Sequence, residues 1–252
     1  MARSKFLVGL GIASCLILES TDLEAGYFTT ITIDDLYADW SGVPVLDFDG
    51  GDNFGGPDIG DTQIANDGQY LYIRNTFPNS LTLSTYIAID VDQNPATGWD
   101  VLGLGILGSE AGWQNDFGFS QATGVFNSGP LTGEFFAGGH ALLAPFGNFA
   151  NRELAISLAN ANNGGLPTFP GDMVRLVIYA DTGTGADGLP AGFPGDSGLN
   201  GDITAVIEYT LARSVSVPEP TGLVLLATAG IGWLFRRKHR EDSAGRARQS
   251  SK

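Results

Sequence analysis

Ile64-Ala-Asn-Asp-Gly-Gln-Tyr-Leu-Tyr-Ile73 decides the fold of this chain. Apolar and aromatic residues flank Asn66-Asp67-Gly68, a turn signal that joins two antiparallel strands because Asn and Gly tolerate positive φ. Working outward, three further runs read as strands: Thr85-Tyr-Ile-Ala-Ile-Asp90, Met173-Val-Arg-Leu-Val-Ile-Tyr179 and Ile203-Thr-Ala-Val-Ile-Glu-Tyr209. Shorter strand-like runs occupy residues 28–33, 117–120, 133–137 and 152–158. Gly, Asp, Asn and Pro punctuate them, and no long helical period is sustained between residues 26 and 213. Eight or nine short strands with turns between them predict an all-β module, an antiparallel β-sandwich of jelly-roll or immunoglobulin-like form.

Charge narrows what this module can bind. Between residues 26 and 217 there are four arginines, no lysine and 22 acidic residues, a net charge of −18. Such a surface repels phosphate backbones, so nucleic acid is not an expected partner. It suits divalent cations, and the acids are mainly Asp, which both turns chains and ligates calcium. The one cysteine, Cys15, lies outside the module, so no disulfide is expected.

Both ends of the chain have the form of targeting segments. Met1-Ala-Arg-Ser-Lys5 is basic, residues 6–18 are largely apolar, and Glu19-Ser-Thr-Asp22 is polar. This is the pattern of a secretory signal peptide, expected as a helix over residues 1–25 and exported by the Sec machinery. Ile12-Ala-Ser-Cys15 is similar to a lipobox, although the apolar run continues past the cysteine, and lipidation of Cys15 stays open. At the other end, Val217-Pro218-Glu219-Pro220 precedes an uncharged apolar stretch over residues 221–235, followed by Arg236-Arg237-Lys238-His239-Arg240. The prolines keep a helix from running into the apolar stretch. The basic cluster would stay cytoplasmic. Fifteen residues at 1.5 Å each give about 22 Å of helix, short of the ~30 Å hydrocarbon layer, which fits a transient or processed anchor.

The motif, apolar segment and basic cluster, in that order, resemble the PEP-CTERM sorting signal. The resemblance implies an exosortase-type sorting enzyme as partner, with Pro218, Glu219, Pro220, Arg236, Arg237, Lys238 and Arg240 carrying the signal. It further implies a Gram-negative bacterium that makes extracellular polysaccharide. The expected organisation is a signal peptide (1–25), a β-sandwich (26–213), a sorting signal with a transmembrane helix (214–240) and a polar cytoplasmic tail (241–252). The expected destination, reached through the inner membrane, is the cell surface or the extracellular matrix.

A second resemblance lies in the module. Ile33-Asp-Asp-Leu-Tyr-Ala-Asp-Trp40, the hairpin of residues 64–73, and Ile87-Ala-Ile-Asp-Val-Asp-Gln-Asn-Pro-Ala-Thr-Gly-Trp99 follow in an order that resembles the DOMON and family-9 carbohydrate-binding-module group. It covers roughly the first half of the module. It implies a sandwich fold, a core position for Trp40, and sugar-binding, haem-binding or structural roles.

Candidate site residues fall into three sets. Asp90, Asp92 and Asn94 alternate like the start of a calcium loop, but Pro95 and Val101 break the EF-hand pattern; Asp100 could complete a site. An Asx turn explains the same residues. Asp181, Asp187, Asp196 and Asp202 lie in a long Gly-rich segment that an ion could organise, and Asp47, Asp49, Asp52, Asn53, Asp58 and Asp61 form a third acidic stretch. Trp99 and Trp113 are the candidates for stacking on sugar rings, with Asp100, Gln114 and Asn115 beside them; burial in the core is the competing reading. His140 stands alone, so haem and zinc are not expected, and there is no P-loop for a nucleotide. No catalytic motif is present.

The reading is an exported, non-catalytic β-sandwich that binds polysaccharide or serves the matrix, stabilised by calcium. A glycoside hydrolase or lyase using paired carboxylates, and a matrix protein without specific ligand, are the alternatives. Removal of residues 218–240 is expected to release the protein into the medium. Replacing Pro218, Glu219 and Pro220 with Ala, leaving the apolar stretch intact, should strand full-length protein in the membrane. An unchanged processing pattern on immunoblots would rule out a sorting signal.

Overall fold

The computed structural model describes residues 26–131, 140–159, 167–181 and 201–213. Among these are fourteen strands, numbered in chain order. One sheet runs β1 (Val45–Phe48), β2 (Asp61–Asn66), β3 (Tyr70–Thr76), β11 (Asn151–Ser157) and β10 (Ala141–Ala144). The second holds seven strands. Both β13 (Asp202–Ile203) and β14 (Ile207–Thr210) pair with β12 (Met173–Ala180), followed by β4 (Thr85–Asp90), β7 (Ala111–Gln114), β8 (Phe117–Ala122) and β9 (Val125–Pro130). A ribbon of β5 (Trp99–Asp100) and β6 (Gly108–Ser109) completes the set. Every pairing of named strands is antiparallel. The all-β, antiparallel expectation holds.

The period of two explains the packing. Ile64, Leu71, Ile73, Leu154 and Ile156 point from the first sheet toward Ile87, Ile89, Trp113, Leu176, Ile178 and Tyr209 of the second, in one buried cluster. Residues 31–43 cover the outer face of the first sheet, with Ile31, Trp40 and Val43 on Ala65, Tyr72 and Ala155. Residues 99–107 cover the outer face of the second sheet, with Val101 and Leu107 packed with Tyr86, Ala88, Phe119, Val177 and Tyr179. Central strands are therefore buried on both faces, which is why β4 is buried at all six positions. Fully burying one such aliphatic side chain contributes roughly 1.5–3 kcal/mol.

Several expectations are corrected. The hairpin forms, with Asn66 opposite Leu71, but Gly68 does not adopt positive φ. The Asp67 side chain makes the turn instead, its Oδ1 accepting the N–H groups of Gln69 (2.7 Å) and Tyr70 (2.9 Å). Residues 28–33 form only an isolated bridge, Phe28 to Asn66, and belong to the cover. The run from Ile203 to Tyr209 is split into β13 and β14, with Thr204 filling the gap: its Oγ1 accepts the Ile178 N–H at 3.0 Å. Residues 133–137 lie outside the described residues, as do residues 1–25, expected as a signal peptide, and residues 214–252, which hold the expected sorting motif and apolar stretch. Among the described residues no helix is long and apolar enough to cross a membrane.

One buried carboxylate fastens the first cover. Glu153, fully buried on β11, accepts the main-chain N–H groups of Asp34 and Asp35 on Oε1, each at 2.7 Å, and the Trp40 Nε1–H on Oε2 at 2.9 Å. Burial outweighs these donors and pushes its pKa up. Replacing Glu153 with Ala would strand the buried Trp40 indole N–H and remove the acceptor of two half-buried main-chain N–H groups, a loss of about 3 kcal/mol, and lower the melting temperature by roughly 5–10 °C. Glu153→Gln, which keeps an acceptor oxygen, should lose less. Thermal unfolding of the full chain and both variants checks this; equal melting temperatures would show that packing alone holds the cover.

Candidate functional site

The 91–109 loop leaves β4 at Asp90 and re-enters the second sheet beside Glu110. Its two ends touch so closely that side chains are excluded. A Cβ at Gly98, which has φ of +67°, would sit 2.4 Å from the Ser109 carbonyl oxygen and 2.5 Å from Glu110 Oε1. The loop carries Trp99 onto the outer face of the second sheet.

There Trp99 joins an aromatic cluster. Its ring lies 4.9 Å from that of Phe126 and 6.0 Å from that of Tyr179, which stacks on Tyr86 at 5.0 Å and 14°. Phe119 meets Phe126 edge-on at 5.3 Å. Phe126 is 41% exposed and Trp99 half-buried, so this cluster reaches solvent. Polar groups stand at its margin. The Tyr86 hydroxyl accepts Gln114 Nε2–H at 2.9 Å and hydrogen-bonds the carboxylate of Asp181. Burial first, and the Asp181 charge next, push the Tyr86 pKa up to about 12.

Trp113 is elsewhere. It is fully buried between the sheets, its Nε1–H donating to the His140 carbonyl oxygen at 3.3 Å, so it offers no face to a sugar. The polar neighbours Gln114 and Asn115 are where strand alternation and the following turn put them, and the alternation itself sends Trp113 inward. Trp40 is core, as its sequence context implies.

At the base of the 91–109 loop, Asp90, Asp92 and Glu110 each place an oxygen within 4.8 Å of the others. Glu110 was not legible as a partner. It comes from the far end of the loop, brought beside Asp90 by the pairing of Ile89 with Ala111. Its Oε2 accepts the Val91 N–H at 2.9 Å, while Oε1 is buried without a hydrogen-bond donor. Asp90 Oδ2 meets Arg175 Nη1 at 2.9 Å, and Arg175 reaches Glu208 at 3.3 Å, a row across three strands in register. Burial pushes the Asp90 and Glu110 carboxyls up, Arg175 opposing it at Asp90. The Asx turn is also present: the Asn94 N–H lies 3.0 Å from an oxygen of both Asp90 and Asp92. The Asn94 side chain turns away to accept the Ala96 N–H, and Asp100 instead accepts the Gly105 N–H at 2.7 Å, so neither joins the group.

The remaining acidic candidates separate. Asp181 is exposed at the end of β12, Asp202 is fully buried on β13, and Asp187 and Asp196 lie outside the described residues. Among the described residues, Asp202 meets Asp49 and Asp52.

Two cavities mark the described surface. One, of about 420 Å³, is lined by Tyr27, Val45, Leu46, Ile64, Glu208 and Tyr209; the other, of about 400 Å³, by Gly68, Gln69, Tyr70, Ser157, Leu158 and Ala159. Neither holds two facing carboxylates.

No family model matches this chain, and no curated protein matches it in sequence. A solved structure of a carbohydrate binding module family 9 (CBM9) from Caldicellulosiruptor kristjanssonii in complex with glucose is similar at 10% identity. The match covers 77% of this chain and 98% of that one, with a TM-score of 0.43.

Proposed function

We propose that this chain is an exported, non-catalytic β-sandwich that binds polysaccharide through the aromatic face of Trp99 and Phe126. The observation that supports it most is that face: half-buried Trp99 beside exposed Phe126, with Gln114, Tyr86 and Asp181 at its margin. Sugar rings present flat C–H faces that pack on aromatic rings, while their hydroxyls need polar partners at the edge. The PEP-CTERM-like end would deliver the module to the cell surface or matrix, with exosortase as its processing partner. The cavities described above give a paired-carboxylate hydrolase no support.

The test is a glycan array probed with the full chain in mild detergent, then affinity electrophoresis in the retained polysaccharide. Trp99→Ala and Phe126→Ala are each expected to weaken retention about tenfold, the scale of losing one aromatic contact of about 1.4 kcal/mol. No retained glycan would favour a matrix protein without ligand. Release of reducing sugar would favour the hydrolase.

Calcium enters the same reading at the loop base. An ion held by Asp90, Asp92 and Glu110 would pin both ends of the segment that carries Trp99. Glu110→Gln is then expected to weaken glycan retention in millimolar calcium, while EDTA weakens wild type to the same level. Sodium chloride at matched ionic strength is the control for screening. Retention indifferent to both calcium and Glu110→Gln would leave the Asx turn as the whole explanation of these residues.

A further inference from the structure

The loop after β1 and the short strand β13 bring Asp49, Asp52 and Asp202 together, one carboxylate oxygen of each within 4.8 Å of the others. These residues come from different sheets: β1 belongs to the first and β13 to the second. Asp202 is fully buried; its Oδ2 accepts the Ile59 N–H at 2.6 Å, and its Oδ1 is buried without a hydrogen-bond donor. Buried oxygens of Asp49 and of neighbouring Asp47 also lack a donor. Among the described residues no arginine pairs with Asp49 or Asp202.

This differs from the Asp90 group, where Arg175, Thr97 and main-chain N–H groups already serve the carboxylates. Here Asp49 and Asp202 meet carboxyl to carboxyl, and a buried oxygen of each has no N–H donor among the described residues. Orphaned buried acceptors are costly, and like charges at this range repel. A water could donate to two oxygens but would leave the charge. A hard divalent cation meets both needs, since it takes only oxygen ligands and neutralises them. Calcium fits a set of carboxylates from separate segments better than magnesium, which demands near-ideal octahedral geometry and keeps its waters. Zinc would want nitrogen or sulfur.

We infer that Asp49, Asp52 and Asp202 form a calcium site that staples the loop following β1 in the first sheet to β13 in the second. The loop is already shaped around it: Asp58 Oδ1 accepts the Gly51 N–H at 2.8 Å, and Asn79 Nδ2–H donates to the Gly56 carbonyl at 2.6 Å. The site does not depend on the Asp90 group. Asp90 stands opposite Arg175 and Asp202 opposite Ala180, so the two lie at opposite ends of β12, about 16 Å apart at ~3.3 Å per residue.

The experiment uses the full chain in mild detergent, stripped with EDTA and titrated with calcium chloride at constant ionic strength. Calorimetry should count one fewer calcium ion in Asp202→Asn and in Asp52→Asn than in wild type. Glu110→Gln should keep this site. Asp202→Asn retains an oxygen for the Ile59 N–H and should fold; Asp52→Asn, in the loop, is the second variant. Saturating calcium should raise the melting temperature of wild type more than that of either variant. The inference is overturned if either variant binds as many ions as wild type, or if calcium neither binds wild type nor raises its melting temperature; in the latter case the cluster is a proton-sharing group only.

Discussion

Main-chain N–H groups donating to side-chain carboxylates fix the turns and covering segments of this sandwich. The chain has four arginines and no lysine between residues 26 and 217, so few side-chain cations can meet its acids. Glu153 gathers two N–H groups and an indole from the 34–40 segment. Asp67 closes the β2–β3 turn, Asp100 shapes the 100–105 turn, and Asp202 takes the Ile59 N–H. Each carboxylate fixes a turn or covering segment that would otherwise float. At Asp49 and Asp202 that N–H supply runs short, and buried oxygens of both have no donor among the described residues, which is the ground of the proposed cation site.

The same shortage accounts for the basic residues. Arg175 sits between Asp90 and Glu208 in a cross-strand row. Arg152 is buried, and among the described residues it meets no carboxylate: its Nη1 donates to the Thr82 carbonyl oxygen at 3.1 Å and its guanidinium lies 5.4 Å from the Phe77 ring. Burial lowers its pKa to about 10, which leaves it charged at any physiological pH. A positive centre thus lies inside an acidic domain, and it serves packing and carbonyl oxygens rather than an ion pair.

Sequence reading succeeded where pattern and structure share a period. Residues 64–73, 85–90 and 173–179 alternate clearly, and the structure pairs them. It failed at strands whose composition is not strand-like. The β7 sequence Ala-Gly-Trp-Gln contains a glycine pressed between Phe119 and Gln121, and β9, Val-Phe-Asn-Ser-Gly-Pro, stands last in its sheet among the described residues. Residues 28–33 carry an apolar alternation that serves to cover a face rather than to extend a ladder. The site was half legible for a related reason. Trp99, Asp90 and Asp92 are local, but Glu110 and the meeting of Asp49 with Asp202 depend on sheet register, which no spacing along the chain encodes.

Closure of both outer sheet faces restricts how this module can recognise anything. Among the described residues, 31–43 cover the outer face of the first sheet over Ala65, Tyr72 and Ala155, and 99–107 cover that of the second over Tyr86, Val177 and Tyr179. On the proposed reading, the glycan meets the cover itself. Trp99 belongs to the cover: its ring packs on Tyr179 beneath and on Phe126 beside it. On the proposed sugar-binding reading, the residue that touches the glycan is therefore also one that holds the 99–107 segment down. If ions occupy the loop base at Asp90 and Glu110 and the Asp49–Asp202 group, binding and folding are coupled: what loosens the base of the loop tilts the aromatic face, and what loosens the staple acts on the whole sandwich and reaches Trp99 only through it.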